Sequence, residues 1–345
     1  MIKMQHTFGL IVPGALITAI LNSTAVIRLC GSLPELGSWS IEKAPQLNLL
    51  TKEFYRPVKL SNEPRFYRLD INLSSDIKEF DYKYVLNDEI WEGKREETRV
   101  WLRDDVKNLV DQIYYTPIDY WIDVKTGATD EKTHTSNFYN EVVTHKIMHY
   151  GRVSDNLYVG SCPRLLTHIE NELGRSLGIT AVLNLQVVKD IERNCQGILG
   201  DNHVPEPNNE FDLASVDILR KAYEQAGLLF LWVPITDLSS TGRELMSPQA
   251  TLVLKTILDK GHKVYVHCNA GMLNNELKIF DLYSSKFFLI LGVGRAFGIV
   301  CAYYHFVLKI PLPKVHYDLA PPRSCGFFDR VFLENAAIIY KKAYE

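Results

Sequence analysis

The sequence predicts two domains: an all-β sandwich, followed by an α/β domain whose mainly parallel central sheet is flanked by helices. Three observations predict it. The chain has 345 residues, and domains usually run to roughly 100–200 residues. The first part, to about residue 120, holds short β-branched and aromatic runs broken by turn signals, with no long amphipathic-helix pattern. After Tyr150, short apolar runs alternate with helix-like stretches, which is the texture of a parallel sheet with crossover helices. The boundaries read as 1–125 for the first domain, 126–148 for a linker and 149–345 for the second domain, with residues 272–292 as an insertion.

The elements follow in order. Residues 7–12, 25–30, 66–73 and 80–86 read as strands, with Gly31 and Ser32, then Asn87 and Asp88, marking turns. The apolar run 8–20 follows Lys3 and has the length of a signal-peptide core, but Pro13 and Gly14 interrupt it, so a first strand is the preferred reading. Residues 126–140 are polar and read as the linker, turning helical by 140–148. In the second domain, strands are expected at 157–159, 181–185, 228–233 and 263–266, and helices at 165–177 and 248–260. Ser247 and Pro248 supply an N-cap and a first-turn proline, so the latter helix is expected to begin there. No run is long enough to span a membrane.

Composition narrows the function class. Hydrophobic residues make up 46% and charged residues 23%, enough for two real cores. The net charge of -3 leaves no basic footprint, so nucleic acid is not an expected partner. Six cysteines without a CxxC pair point to reduced thiols and a cytoplasmic location.

The most informative string is residues 263–271, an apolar strand running into a small-residue turn that opens with His267 and Cys268. It resembles the active-site opening of the cysteine-dependent protein tyrosine and dual-specificity phosphatases, in which five residues separate the cysteine from an arginine. Here the sixth position after Cys268 is Asn274. Removing the 21 residues 272–292 restores the pattern as Cys268, Asn269, Ala270, Gly271, Val293, Gly294, Arg295. The resemblance implies Cys268 as nucleophile, Arg295 as a bidentate phosphate clamp, and Asn269, Ala270, Gly271, Val293 and Gly294 as the N–H cradle. The chemistry fits those residue types. Backbone N–H groups at a helix N-terminus welcome a phosphate dianion and favour a thiolate, and guanidinium matches two phosphate oxygens. Asp237 ends a predicted strand 31 residues before Cys268, where this family carries the acid that protonates the leaving oxygen. Arg243 follows in the same loop, where it could position the loop or touch substrate.

Residues 272–292 admit two readings. Gly271 and Met272 can be encoded with a GTATG that resembles an intron donor, and the apolar run 287–291 resembles a pyrimidine-rich acceptor, so the segment reads as an in-frame retained intron. The other reading is a genuine insertion. It would cost little closure entropy, but would break the contiguous N–H array on which transition-state stabilisation depends.

Residues 148–152, 157–164, 178–186 and 232–243 extend the resemblance to the glucan phosphatases of the laforin type, in the same domain order. Ala296, where most dual-specificity phosphatases carry Ser or Thr, and residues 322–325 look more like the plant starch-excess enzymes. In the first domain, residues 31–39, 82–84 and 90–93 resemble the landmarks of family 20 carbohydrate-binding modules. That resemblance maps the sugar site to Trp39, Lys83 and Trp91. Indoles stack on the apolar faces of sugar rings, and lysine donates to hydroxyls. Trp101 and Trp121 match no binding landmark and read as core or domain-interface residues.

Two signals are set aside. His145 and His149 have helical metal-ligand spacing but no third ligand nearby. Residues 287–294 imitate a dinucleotide-binding turn, but residues 310–313 make a poor second strand. No metal or organic cofactor is expected. The expected partner is a starch- or glycogen-like phosphorylated glucan, with neither nucleic acid nor membrane, and a homodimer is left open. Three functions follow: an active glucan phosphatase, a catalytically dead glucan-binding scaffold, or a protein phosphatase targeted to glucan.

Overall fold

The computed structural model describes residues 2–14, 16, 25–50, 63–94, 96–123, 142, 144–200, 213–236, 240–269, 294–322 and 328–344. The chain divides into two compact units. Unit 1 comprises Met1–Glu53, Lys59–Phe138 and Pro311–Cys325, and unit 2 comprises Phe54–Val58, Tyr139–Ile310 and Gly326–Glu345. The expected linker 126–140 lies outside the described residues.

Unit 1 is built on β1 (Lys3–Val12), which pairs antiparallel with β4 (Arg65–Ser74) over ten residues, from Lys3 opposite Ser74 to Val12 opposite Arg65. On its other side β1 runs parallel to β9 (Ile113–Tyr115) and β10 (Asp119–Tyr120). A strand flanked on both sides and buried on both faces needs continuous apolar character rather than alternation. That need accounts for Phe8, Leu10, Ile11 and Val12, all buried. Outer strands β3 (Asn48–Leu49) and β8 (Leu109–Val110) complete this sheet. A second sheet holds β2 (Ile27–Gly31), β5 (Glu79–Leu86), β6 (Ile90–Trp91) and β7 (Arg99–Leu102). One core joins the sheets, drawing Phe8 and Leu10 from β1, Leu29 from β2, Tyr82 and Tyr84 from β5 and Trp101 from β7, with Trp121.

Unit 1 is not built of strands alone. The first sheet is mixed, and unit 1 carries a helical turn, Asp105–Asn108, and the helix Leu312–Leu319 from late in the chain. That helix is held by Tyr317, whose hydroxyl lies 2.9 Å from Thr7 O and 2.7 Å from Thr116 O. Gly9 permits the approach, since a Cβ there would stand 3.0 Å from the Tyr317 ring and 2.9 Å from that of Phe66.

Unit 2 is a five-stranded sheet of β11 (Tyr150–Ser154), β12 (Leu157–Ser161), β13 (Ala181–Asn184), β14 (Leu229–Trp232) and β15 (Val264–Cys268). The order is β11-β12-β15-β13-β14. The sheet is mixed rather than mainly parallel: β11 and β12 are antiparallel, and the remaining pairs are parallel. Only Asp155 and Asn156 separate β11 from β12, and a two-residue connection can join only antiparallel strands. Strand β15 lies between β12 and β13 and is buried throughout. Its C-terminal end is therefore the central exit of the sheet, where open α/β sheets place their ligands.

The helix expected to begin at Ser247 begins two turns earlier and spans Ser240–Asp259 with Pro248 inside it. A proline in a helix interior removes one hydrogen bond and crowds the preceding turn. Here the first turns are held from outside. Arg243 is buried with its guanidinium 5.5 Å from the Phe332 ring, and Asn335 donates to Glu244 at 3.1 Å. Both partners lie on the helix Arg330–Tyr344. Arg295 stands in the first turn of a further helix, Gly294–Ala302, continued by a π-helical turn, Tyr303–Val307. Among the described residues no helix is long and apolar enough to cross a membrane.

Candidate functional site

Each unit carries one candidate site. In unit 2, β15 delivers Cys268, fully buried, to the end of the sheet, its Sγ 3.5 Å from Asn269 O. His267 points away from it. Its Nδ1 lies 3.4 Å from Cys268 O and its Nε2 3.1 Å from the Tyr223 hydroxyl. A carbonyl can only accept, so Nδ1 carries the proton and Nε2 accepts from Tyr223. Burial, with the Arg295 charge adding to it, holds His267 neutral by lowering its pKa to about 3. This histidine braces the turn and is not a proton carrier at neutral pH.

Arg295 enters from the first turn of Gly294–Ala302 and is 3% exposed. Its Nη1 donates to Asp190 Oδ2 at 2.7 Å and to Ile235 O at 2.8 Å. The second contact matters because Ile235 lies two residues before Asp237. The segment leading there is fixed alongside β13: Val233 N donates to Asn184 O at 3.0 Å, Ile235 N to Leu185 O at 3.1 Å, and Trp232 Nε1 to Gln186 O at 2.7 Å. The clamp arginine and the chain approaching the expected acid therefore meet. Asp237, Ala270, Gly271, Val293 and residues 272–292 lie outside the described residues. Asn269 and Gly294, the described cradle residues, are both buried.

Acid pH bears on this unit through two buried histidines and the half-buried Glu172. Burial lowers His267 to about 3 and His168 to about 4, while burial raises Glu172 to about 7. Each histidine contributes stability above its unfolded pKa of 6.5, and that contribution is lost as pH falls toward the folded value. Glu172 has the opposite sign, since its contribution is present below 4.5 and lost as pH rises through 7. Below pH 6.5 one histidine is offset and the other is not. Unit 2 is therefore expected to lose about 2 kcal/mol between pH 6.5 and 5, and His267→Gln to flatten that slope. Hydrogen exchange in β13 and β15 across this range measures it, and an unchanged slope in the variant refutes the assignment.

In unit 1, Trp39 and Trp91 come together with ring centroids 6.4 Å apart and planes tilted by 40°. Trp39 sits in a tight turn in which Gly37, Ser38 and Trp39 all have positive φ, at 85°, 49° and 67°. Ser38 and Trp39 hold a conformation that side chains with a Cβ disfavour. Trp39 N donating to Gly31 O at 2.9 Å helps to fix it. The result is an indole 39% exposed. Trp91 is presented from β6, opposite Val85. Both line a cavity of about 760 Å³ with Lys83, Glu89, Ile90, Gly93 and Thr98. Lys83 is buried, its Nζ donates to Lys94 O at 2.6 Å, and burial lowers its pKa.

A charged cluster behind this cavity was not anticipated from the sequence. Glu92, fully buried and adjacent to Trp91, takes two hydrogen bonds from Arg99, at 2.8 Å each, and accepts from Tyr84 N and Ile122 N. Arg99 also donates to Asp119 at 2.9 Å, and Asp119 accepts from the Tyr82 and Tyr84 hydroxyls. Burial raises Asp119 to about 6. The cluster ties Glu92, next to Trp91, to the backbone of Tyr84 and Ile122. The only advance signal was an acidic residue following an exposed-type tryptophan.

No protein-family model matches the chain. Over 347 aligned positions it is 33% identical to laforin of Mus musculus, an alignment covering 96% of this chain and 94% of that protein. It is 27% identical over 124 residues to the chloroplastic phosphoglucan phosphatase LSF1 of Arabidopsis thaliana, covering 36% of this chain and 18% of that protein. Among solved structures, PTPMT1 matches 56% of this chain and 95% of its own, at 17% identity and a TM-score of 0.36.

Proposed function

The chain belongs to the laforin family, and on that premise we propose that it is a glucan phosphatase, binding starch- or glycogen-like polysaccharide and hydrolysing its phosphate monoesters through a phosphocysteine. The carrying observation is a relationship that spans nearly the whole chain and so includes both candidate sites. The Cys268 thiolate attacks phosphorus, a P–S bond forms, and the P–O bond to the sugar breaks. Asp237 gives its proton to the departing sugar hydroxyl, and its carboxylate then takes a proton from the water that cleaves the phosphocysteine. Inorganic phosphate leaves and the thiolate is restored. Arg295 grips the equatorial oxygens, with Asn269, Ala270, Gly271, Val293 and Gly294 turning N–H groups toward them.

Residues 1–125 would form the starch-binding module, with Trp39 and Trp91 stacking on glucose rings and Lys83 donating to hydroxyls. The tilted indole pair over a 760 Å³ cavity supports this reading. A reducing, cytoplasmic setting is part of the proposal, resting on six cysteines without a CxxC pair. Phosphate release from phosphorylated amylopectin, compared with release from a phosphotyrosine peptide at matched phosphate, tests the function. Release from the glucan is expected. Release from the peptide alone would make this a protein phosphatase carried to glucan, and glucan retention without any release would make it a scaffold.

A further inference from the structure

The phosphate loop of this chain is interrupted between residues that must act together. In an uninterrupted loop only Ala270, Gly271 and Val293 would separate Asn269 from Gly294, and the covalent path itself would hold the ends in place. Here the path runs through residues 270–293. A chain of that length fixes its ends weakly, so the register of the two ends depends on contacts from elsewhere.

Those contacts converge on one short stretch. Gln186, fully buried, donates from Nε2 to Asn269 Oδ1 at 2.8 Å. Asn194, 4% exposed, donates from Nδ2 to the same oxygen at 3.2 Å and to Asp190 O at 2.8 Å. Asp190 Oδ2 takes the 2.7 Å bond from Arg295 and a 3.3 Å bond from Val187 N. The helix Val188–Asn194 and the residues entering it thus reach Asn269 on one side of the interruption and Arg295 on the other. The buried Gln186 and Asn194 and the half-buried Asp190 together reach both Asn269 and Arg295.

We propose that Gln186, Asp190 and Asn194 form a brace that holds Asn269 and Arg295 in phosphate-binding register across residues 272–292, acting as positioning residues. The proposal rests on the phosphatase reading. None of the three needs to touch the phosphate. Their effect is on where the cradle and clamp stand, and small displacements of reacting groups are costly in rate.

The test uses p-nitrophenyl phosphate, which bypasses the glucan site, in the full chain and in a variant lacking residues 272–292. Gln186→Met combined with Asn194→Ala is expected to lower kcat in the full chain by roughly 100-fold with a smaller change in KM. In the deletion variant the same pair should cost less than roughly fivefold, because the contiguous loop holds its own ends. Asp190→Ala should behave likewise, and Asp190→Asn, which keeps an oxygen toward Arg295, should recover most of the loss. Circular dichroism and melting temperature report on folding, and Asp190 gives an independent arm should the amide pair not fold. Equal losses in the two backgrounds would mark a merely structural cluster and overturn the brace. So would a full chain that is inert while the deletion variant turns over. If both backgrounds are inert toward the aryl phosphate, the phosphatase reading itself falls, and the brace with it.

Discussion

Cys268→Ser is expected to abolish phosphate release from phosphorylated glucan and from aryl phosphates while glucan retention stays unchanged. The loss should be at least roughly 10⁴-fold in kcat, the scale seen when a covalent nucleophile is removed from a coupled machine. The size of the effect follows from the chemistry. A thiol ionises near neutrality when N–H dipoles favour its anion, whereas a serine hydroxyl has no base within the phosphate loop to activate it. The substitution is also sterically mild. Cys268 ends a buried strand, and its neighbour His267 keeps its bonds to Tyr223 and to the residue 268 carbonyl whichever atom replaces sulfur. A melting temperature close to that of the parent should accompany the loss. Phosphate release by the variant above roughly a hundredth of the parent rate would remove the phosphocysteine from the mechanism, since no other described residue is positioned to replace it.

Which parts of this were readable in advance depends on how far apart in sequence the interacting partners lie. Strand β15 and Cys268 were legible because the apolar and aromatic run Val264, Tyr265, Val266 leads through His267 into the turn. Arg295 was legible only because the motif has fixed spacing, so that excising residues 272–292 restored it. Gln186, Asp190 and Asn194 gave no such signal. Their partners stand 83, 105 and 75 positions away, and nothing local distinguishes them from ordinary polar loop and helix residues. Tyr317 is a stronger case, with acceptors 310 and 201 positions away. Glu92, Arg99 and Asp119 carry no local sign of burial, because charged residues seldom lie inside. Only the fold shows them pairing with one another, which is the condition for burying them. Two differences from the sequence expectation have local causes. The two-residue step at Asp155 and Asn156 already required an antiparallel edge. At Pro248 the helix runs through its expected start, because Phe332 and Asn335 hold the turns before it.

The second large effect belongs to the other unit. Trp39→Ala with Trp91→Ala is expected to weaken retention on amylose or glycogen on the order of 1,000-fold, leaving p-nitrophenyl phosphate turnover within about twofold of the parent. The magnitude corresponds to about 2 kcal/mol for each aromatic anchor removed from a site. The two rings do different work. Trp39 is half-exposed on a turn held at positive φ, an arrangement with no core-packing justification. Trp91 packs its other face on the cluster of Cys30, Ala44 and Val85, so its loss also loosens the module. The single Trp39→Ala variant separates these contributions. It should carry a large part of the affinity loss at nearly parental stability, whereas Trp91→Ala should lower both. Arg99→Lys adds a further arm. It keeps the charge but gives up the paired bonds to Glu92, so retention should fall with both tryptophans in place. Affinity electrophoresis in glycogen-containing gels reads all four variants. Unchanged retention in the double variant would move the sugar site away from this cavity and leave the strained Trp39 turn without a function.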